Sequence, residues 1–161
     1  MLYERVTYTK VEPSVVKEHR KAFKRIKENF IKWCAYHRKF DDIFSPEEII
    51  QARKGHLPKD CDIHHIIPLS GTYDPDVNQF FNLTVLHKNI HKKINKECFQ
   101  PQLKGIDKLP YGTQIEIDVP VFDVVDVRGI EQARKTARSH GSLNMETLAV
   151  IASKRNKYYR R

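Results

Sequence analysis

Two short β-rich segments followed directly by a basic helix dominate the middle of the chain. Residues 61–67 and 81–86 have the β-branched and apolar content of strands, and turn residues fill the interval between them. Residues 88–96 carry two isoleucines four positions apart with lysines between them, which predicts a short helix. The order strand, loop, strand, helix therefore predicts a hairpin that folds onto the helix after it.

The flanking sequence predicts helices before this segment and a strand with helices after it. Apolar residues at helical spacing predict a long helix over 14–40, and Ser45-Pro46-Glu47-Glu48 predicts a capped helix over 45–55. Alternation predicts a half-buried strand over 114–121. Residues 123–127 are expected to continue or pair with that strand, and helices are expected over 129–138 and 142–155.

The predicted fold class is α+β. We expect an N-terminal helical region over 1–60, a hairpin-and-helix core over 61–97, and a strand-and-helix extension over 98–161 packed on that core.

The chain carries a marked excess of positive charge. Its 161 residues include 29 lysines and arginines against 20 aspartates and glutamates, a formal net charge of +9. The length fits roughly one domain, and the charge indicates an anionic partner such as nucleic acid, an acidic protein or a membrane surface. No apolar run approaches a membrane span, and the odd number of cysteines supports neither a disulfide framework nor a four-cysteine zinc site.

Four of the eight histidines lie between positions 64 and 91. Imidazole is a common metal ligand, and folding the hairpin onto the helix would bring His64, His65 and His91 together. Because adjacent strand residues point in different directions, His64 and His65 are not expected to bind one ion through both rings. One ring could ligate a metal while its neighbour accepts a proton from water.

These residues resemble the HNH endonuclease family with its ββα-metal fold, as found in nuclease toxins such as colicins. The resemblance covers about residues 61–97, from Asp62-Ile63-His64-His65 to the stretch Asn82 to His91. It implies that His64 and His91 are metal ligands and that His65 is the general base. Asn82 would tie the hairpin loop and orient the base, as the motif's central asparagine.

The chain departs from the family pattern one helical turn after His91. Many relatives have a further ligand there, and this chain has Asn95, whose carbonyl oxygen is a hard donor. We therefore expect one divalent ion, Mg²⁺ or Mn²⁺, with Zn²⁺ or Ni²⁺ as alternatives. His87 is expected to support the site or contact substrate. Asp62 is either a hydrogen-bond partner of a histidine ring or an ordinary surface residue.

The resemblance implies metal-dependent hydrolysis of phosphodiester bonds in DNA. The helix lysines would attract the polyanion in a sequence-independent way; they are Lys88, Lys92, Lys93 and Lys96. The alternatives are a ribonuclease with the same groups and a nucleic-acid-binding module with a structural metal. The charge of +9 fits a toxin nuclease domain, which would act in the cytoplasm of a target cell after delivery and would be neutralised by an acidic immunity protein. It also fits a phage, mobile-element or restriction endonuclease, and we expect no membrane partner.

Overall fold

Helices and two small antiparallel sheets combine into an α+β fold. The computed structural model describes residues 2–126 and Ile130. In chain order the strands and main helices are β1 (Tyr3–Thr9), α1 (Pro13–Cys34), α2 (Arg38–Ile43), α3 (Pro46–Arg53), β2 (Cys61–His65), β3 (Leu83–His87), α4 (Lys88–Ile94) and β4 (Gln114–Pro120). One sheet pairs β1 with β4, and the other pairs β2 with β3. No helix in the described part of the chain is long and apolar enough to cross a membrane.

The predicted helix over 14–40 is two helices with a break between them. α1 ends at Cys34, and α2 begins after His37, whose side chain accepts a hydrogen bond from the backbone N–H of Lys39. The capped helix is confirmed as α3. Ser45 Oγ accepts from the N–H of Glu48 at 3.2 Å, and the Glu48 carboxylate accepts from the N–H of Ser45 at 3.0 Å.

The predicted hairpin and the helix after it are confirmed. β2 and β3 are antiparallel, with His64 opposite Thr84 and His65 opposite Leu83. β3 runs into α4 without a loop, because His87 ends the strand and also caps the helix. Its Nδ1 accepts a hydrogen bond from the N–H of Asn89 at 3.1 Å. This direct junction fixes α4 against the hairpin.

The region expected to be helical over 1–60 begins with a strand instead. β1 pairs along its whole length with β4, from Tyr3 opposite Pro120 to Thr9 opposite Gln114. The predicted strand over 114–121 is confirmed as β4.

The expectation that residues 123–127 continue or pair with β4 is wrong. Val125 forms a parallel bridge to Val85 of β3, because the N–H of Val85 bonds to the carbonyl of Val124 and the N–H of Asp126 bonds to the carbonyl of Val85. The helices predicted over 129–138 and 142–155 lie outside the described residues, apart from Ile130.

The β2–β3 hairpin lies between two apolar clusters. Leu83 and Val85 pack with the aromatic residues of α1 and α2, whereas Leu86 packs with Ile94, Phe99 and the inward side chains of β4. Strand alternation sends neighbouring side chains to these two clusters in turn. The two adjacent histidines of β2 therefore face different parts of the core, as the sequence predicts.

Candidate functional site

A cavity of about 510 Å³ lies between α1 on one side and the α4 region on the other. Its floor is the end of β2, and its lining includes Arg20, His64, His65, Ser70, His91 and Asn95. The cavity thus joins the histidines of the hairpin to the histidine of the helix. His87, which caps α4, is not among the lining residues.

His64 is buried without a hydrogen-bond partner. Its ring is 3 % exposed, and Nε2 is buried with no partner in the described part of the chain. The ring packs between Phe99 and Phe122, with centroid separations of 5.9 and 5.8 Å. Burial, reinforced by the neighbouring histidines His91 and His65, lowers the pKa of His64 to about 3. The ring is therefore neutral near pH 7, which is the form that binds a metal.

His91 presents a ring whose tautomer is fixed by a carboxylate. Its Nδ1 lies 3.0 Å from Oδ2 of Asp62, and an ionised carboxylate can only accept, so Nδ1 carries a proton and the lone pair of the neutral ring is on Nε2. Carboxylates hold metal-binding histidines in the same way. Of the two predictions for Asp62, the hydrogen bond to a histidine ring is confirmed.

The pair formed by His64 and His91 has the spacing of two metal ligands. Their ring centroids are 5.2 Å apart. Two imidazoles that bind one ion at about 2.1 Å have centroids roughly 5 Å apart. Asn95 lines the same cavity one helical turn after His91, at the first residue of a π-helical turn (Asn95–Phe99), a distortion frequent at functional sites.

The three metal ligands expected from the sequence, His64, His91 and Asn95, all line this cavity. Among residues 2–126 and 130, no group of three or more His, Cys, Asp or Glu side chains is arranged to hold a metal ion. A closed zinc site needs four protein ligands, whereas hard divalent ions keep several waters.

His65 also lines the cavity, but its ring packs on the α1 side of the hairpin, opposite to the side on which His64 packs. Its tautomer is fixed by a different partner. Its Nε2 lies 2.9 Å from Oδ1 of Asn78, and the amide nitrogen of Asn78 donates to the backbone carbonyl of His19 at 2.9 Å. Because that carbonyl can only accept, the amide oxygen must face His65, and Nε2 of His65 must carry the proton. The lone pair of the neutral ring is therefore on Nδ1.

Burial also lowers the pKa of His65, against the opposing effect of the hydrogen bond to Asn78. The ring packs edge-on against Phe23 of α1 at a centroid distance of 4.9 Å. His19 is buried as well, and its Nε2 donates to the carbonyl of Thr72 at 2.8 Å. Both His65 and the loop after it are thus anchored to α1.

Asn82 ties the hairpin loop, as predicted. Its Oδ1 accepts from the N–H of Ile67 at 2.8 Å, and its Nδ2 donates to the carbonyls of Ile67 and Val77 at 3.0 and 2.8 Å. The side chain that forms a hydrogen bond with the ring of His65 is Asn78, four residues before Asn82. Sequence reasoning missed Asn78 because its partner His19 comes from a distant part of the chain.

The predicted nucleic-acid-binding lysines lie on α4 and the turn after it, and none lines the cavity. Lys88 forms an ion pair with Asp60 at 2.8 Å, whereas Lys92, Lys93 and Lys96 are exposed. The cationic side chain that lines the cavity is Arg20 of α1. No local sequence signal marks this arginine, since only the packing of α1 on the hairpin brings it to the histidines.

Comparisons with protein-family models, with curated proteins and with solved structures give no match for this chain.

Proposed function

We propose that this protein is a metal-dependent endonuclease of the HNH type that hydrolyses phosphodiester bonds in DNA. The observation that carries the proposal is the buried, unpartnered ring of His64 beside His91, whose tautomer is set by Asp62. A second neutral imidazole, His65, occupies the same cavity with a tautomer set by a different partner. One cavity thus brings together the two rings that we propose as metal ligands and a separate ring that we propose as the base.

His64, His91 and Asn95 would hold the divalent ion. When bound, such an ion supplies Lewis-acid stabilisation of negative charge on the phosphate oxygens. Asp62 contributes by keeping the proton on Nδ1 of His91, so that the other ring nitrogen is free to donate its lone pair.

His65 is the general base in this proposal. Its Nδ1 accepts a proton from a water molecule, and the water oxygen forms a new bond to phosphorus. The bond from phosphorus to the 3′ oxygen breaks, and that oxygen takes a proton from solvent. Asn78 holds the ring so that the free lone pair is always the Nδ1 lone pair. The charge of Arg20 favours entry of a phosphate into the cavity.

The alternative from another class is a nucleic-acid-binding module with a structural metal. Its structural metal would need four closed protein ligands, and the module would bind DNA without cleaving it. A ribonuclease would use the same groups, so the substrate must be chosen by experiment.

The test is cleavage of supercoiled plasmid DNA, and of a labelled RNA in parallel, with Mg²⁺ or Mn²⁺ and with EDTA. We expect DNA nicking that EDTA abolishes. His65→Ala should lower the cleavage rate by about 10²–10⁴-fold, the usual contribution of a general base, while still shifting the plasmid in a gel.

His56→Ala is the matched control, because His56 is exposed and does not line the cavity. It should cleave at the wild-type rate. A wild-type protein that shifts the plasmid but leaves it intact with every metal would support the binding module instead. Full activity in a folded His65→Ala variant would remove the proposed base.

A further inference from the structure

The exposed side of α1 next to the cavity carries a row of four cationic side chains. This row, the α1 ridge, consists of Lys17, Arg20, Lys24 and Lys27. At 100° per residue the four positions fall within a sector of roughly 80° around the helix axis. All four are exposed, and Arg20 also lines the cavity, so the ridge meets the site at this residue.

The ridge has no carboxylate partners in the part of the chain that the structure describes. The two acidic residues of α1 are engaged elsewhere, Glu18 with Lys21 at 3.5 Å and Glu28 with Lys32 at 3.0 Å. Other cationic side chains of the fold do form long-range ion pairs, as Arg5 does with Asp118 and Lys88 with Asp60. Four like charges on one face repel one another, which disfavours the folded state unless an anion binds there.

The length of the ridge suits a nucleic-acid strand. From Lys17 to Lys27 the helix rises about 15 Å, which equals roughly four phosphates of one DNA strand measured along the duplex axis. A row of separate point charges on flexible stems suits successive phosphates, since ammonium groups bind them without reading the bases.

We propose that the α1 ridge binds the phosphate backbone of the nucleic acid and leads it to the cavity at Arg20. The inference rests on the proposed function for its ligand class. It adds a binding surface on α1 to the lysines of α4, so that the substrate is held from both sides of the cavity.

The test is the binding of a short fluorescein-labelled DNA duplex, measured by anisotropy in EDTA between about 50 and 200 mM sodium chloride. Lys24→Glu/Lys27→Glu should weaken binding by about tenfold or more, and should make the slope of log affinity against log salt shallower by about 2. Lys24→Gln/Lys27→Gln should change both quantities in the same direction and by less. Circular dichroism and thermal unfolding establish that each variant is folded.

Lys59→Glu/Lys108→Glu is the matched control. Both lysines are exposed, both lie outside α1 and α4, and the change in net charge is the same. The ridge is supported if this control binds much more tightly than Lys24→Glu/Lys27→Glu, and overturned if the two bind equally or if the ridge variants bind as the wild type does. Because EDTA prevents metal-dependent cleavage, a protein that loses binding in the ridge variants yet never cleaves DNA would retain the ridge and refute only the nuclease proposal.

Discussion

His64 and His65 are neighbours on one strand, yet their surroundings differ in almost every respect. The ring of His64 lies between two phenylalanines and has no hydrogen-bond partner among the described residues. The ring of His65 packs on α1 and donates to an amide that is itself anchored to α1. Burial lowers the pKa of both. Strand alternation thus produces one buried ring without a hydrogen-bond partner among the described residues and one ring whose orientation is fixed by Asn78.

The largest effect we expect from this difference is a loss of folding stability in acid that is caused by His64. The native ring stays neutral down to about pH 3, whereas the ring in the unfolded chain titrates near pH 6.5, so the unfolded state binds more protons in between. Stability should therefore fall by about 1.4 kcal/mol for each pH unit below 6.5, or about 3 kcal/mol by pH 4.5. Urea unfolding in EDTA measures this dependence.

His64→Leu isolates that contribution, because leucine has a similar volume and does not titrate. The variant should show a flatter decline between pH 6.5 and about pH 4.5, retaining the part due to His65, whose lowered pKa has the same sign. If the stability of His64→Leu fell with pH as steeply as that of the wild type, the pKa of His64 could not be the more strongly lowered of the two.

Metal binding should separate the two rings most directly. Addition of Mn²⁺ at about 100 times its dissociation constant should stabilise the wild type by about 2.7 kcal/mol in thermal unfolding. His65→Ala should retain this stabilisation, whereas His91→Ala should lose most of it. If both variants lost the Mn²⁺-induced stabilisation equally, both rings would contribute equally to metal binding, and the assignment of separate roles would fail.

The orientation of the His65 ring depends on its hydrogen bond to Asn78, and Asn78→Ala tests that dependence. The change leaves the buried N–H of His65 without its acceptor, which should cost about 2 kcal/mol of stability. The Mn²⁺-induced stabilisation should be unchanged, because the pair of His64 and His91 is not touched. A variant that lost metal-dependent stabilisation would show that the two faces of the hairpin are coupled.

Local sequence patterns predicted those parts of the fold that depend on residues close together in the sequence. The capping box of Ser45 and Glu48 and the direct passage from β3 into α4 depend on contacts within a few residues. The opposite facing of His64 and His65 follows from the period of a strand. The expected contact between Asp62 and a histidine ring needed only the hairpin folded on its helix.

Contacts between segments distant in the sequence could not be predicted from local patterns. β1 has the β-branched and aromatic content of a strand, but its partner β4 lies more than 100 residues away, and the helical neighbours dominated the prediction. Residues 124–126 pair with β3 rather than with the adjacent β4, a choice that depends on packing. Arg20 and Asn78 reach the site only because α1 lies against the hairpin, and neither position carries a local signal.

The smallest effect we expect concerns the carboxylate behind His91. Asp62→Asn keeps the size of the side chain but removes the charge that holds the proton on Nδ1 of His91, so the affinity for Mn²⁺ should fall. Residues that hydrogen-bond to a metal ligand change metal affinity by about 10- to 100-fold. We expect the lower figure for Asp62, because solvent screens the interaction: the side chain of Asp62 is 44 % exposed and that of His91 is 27 % exposed. Titration of Mn²⁺ by isothermal calorimetry measures the change. Asp60→Asn is the matched control, since Asp60 pairs with Lys88 and touches neither ring. A loss of affinity in the control as large as in Asp62→Asn would mean that overall negative charge attracts the ion, and the His91 ring would then need no carboxylate to set its tautomer.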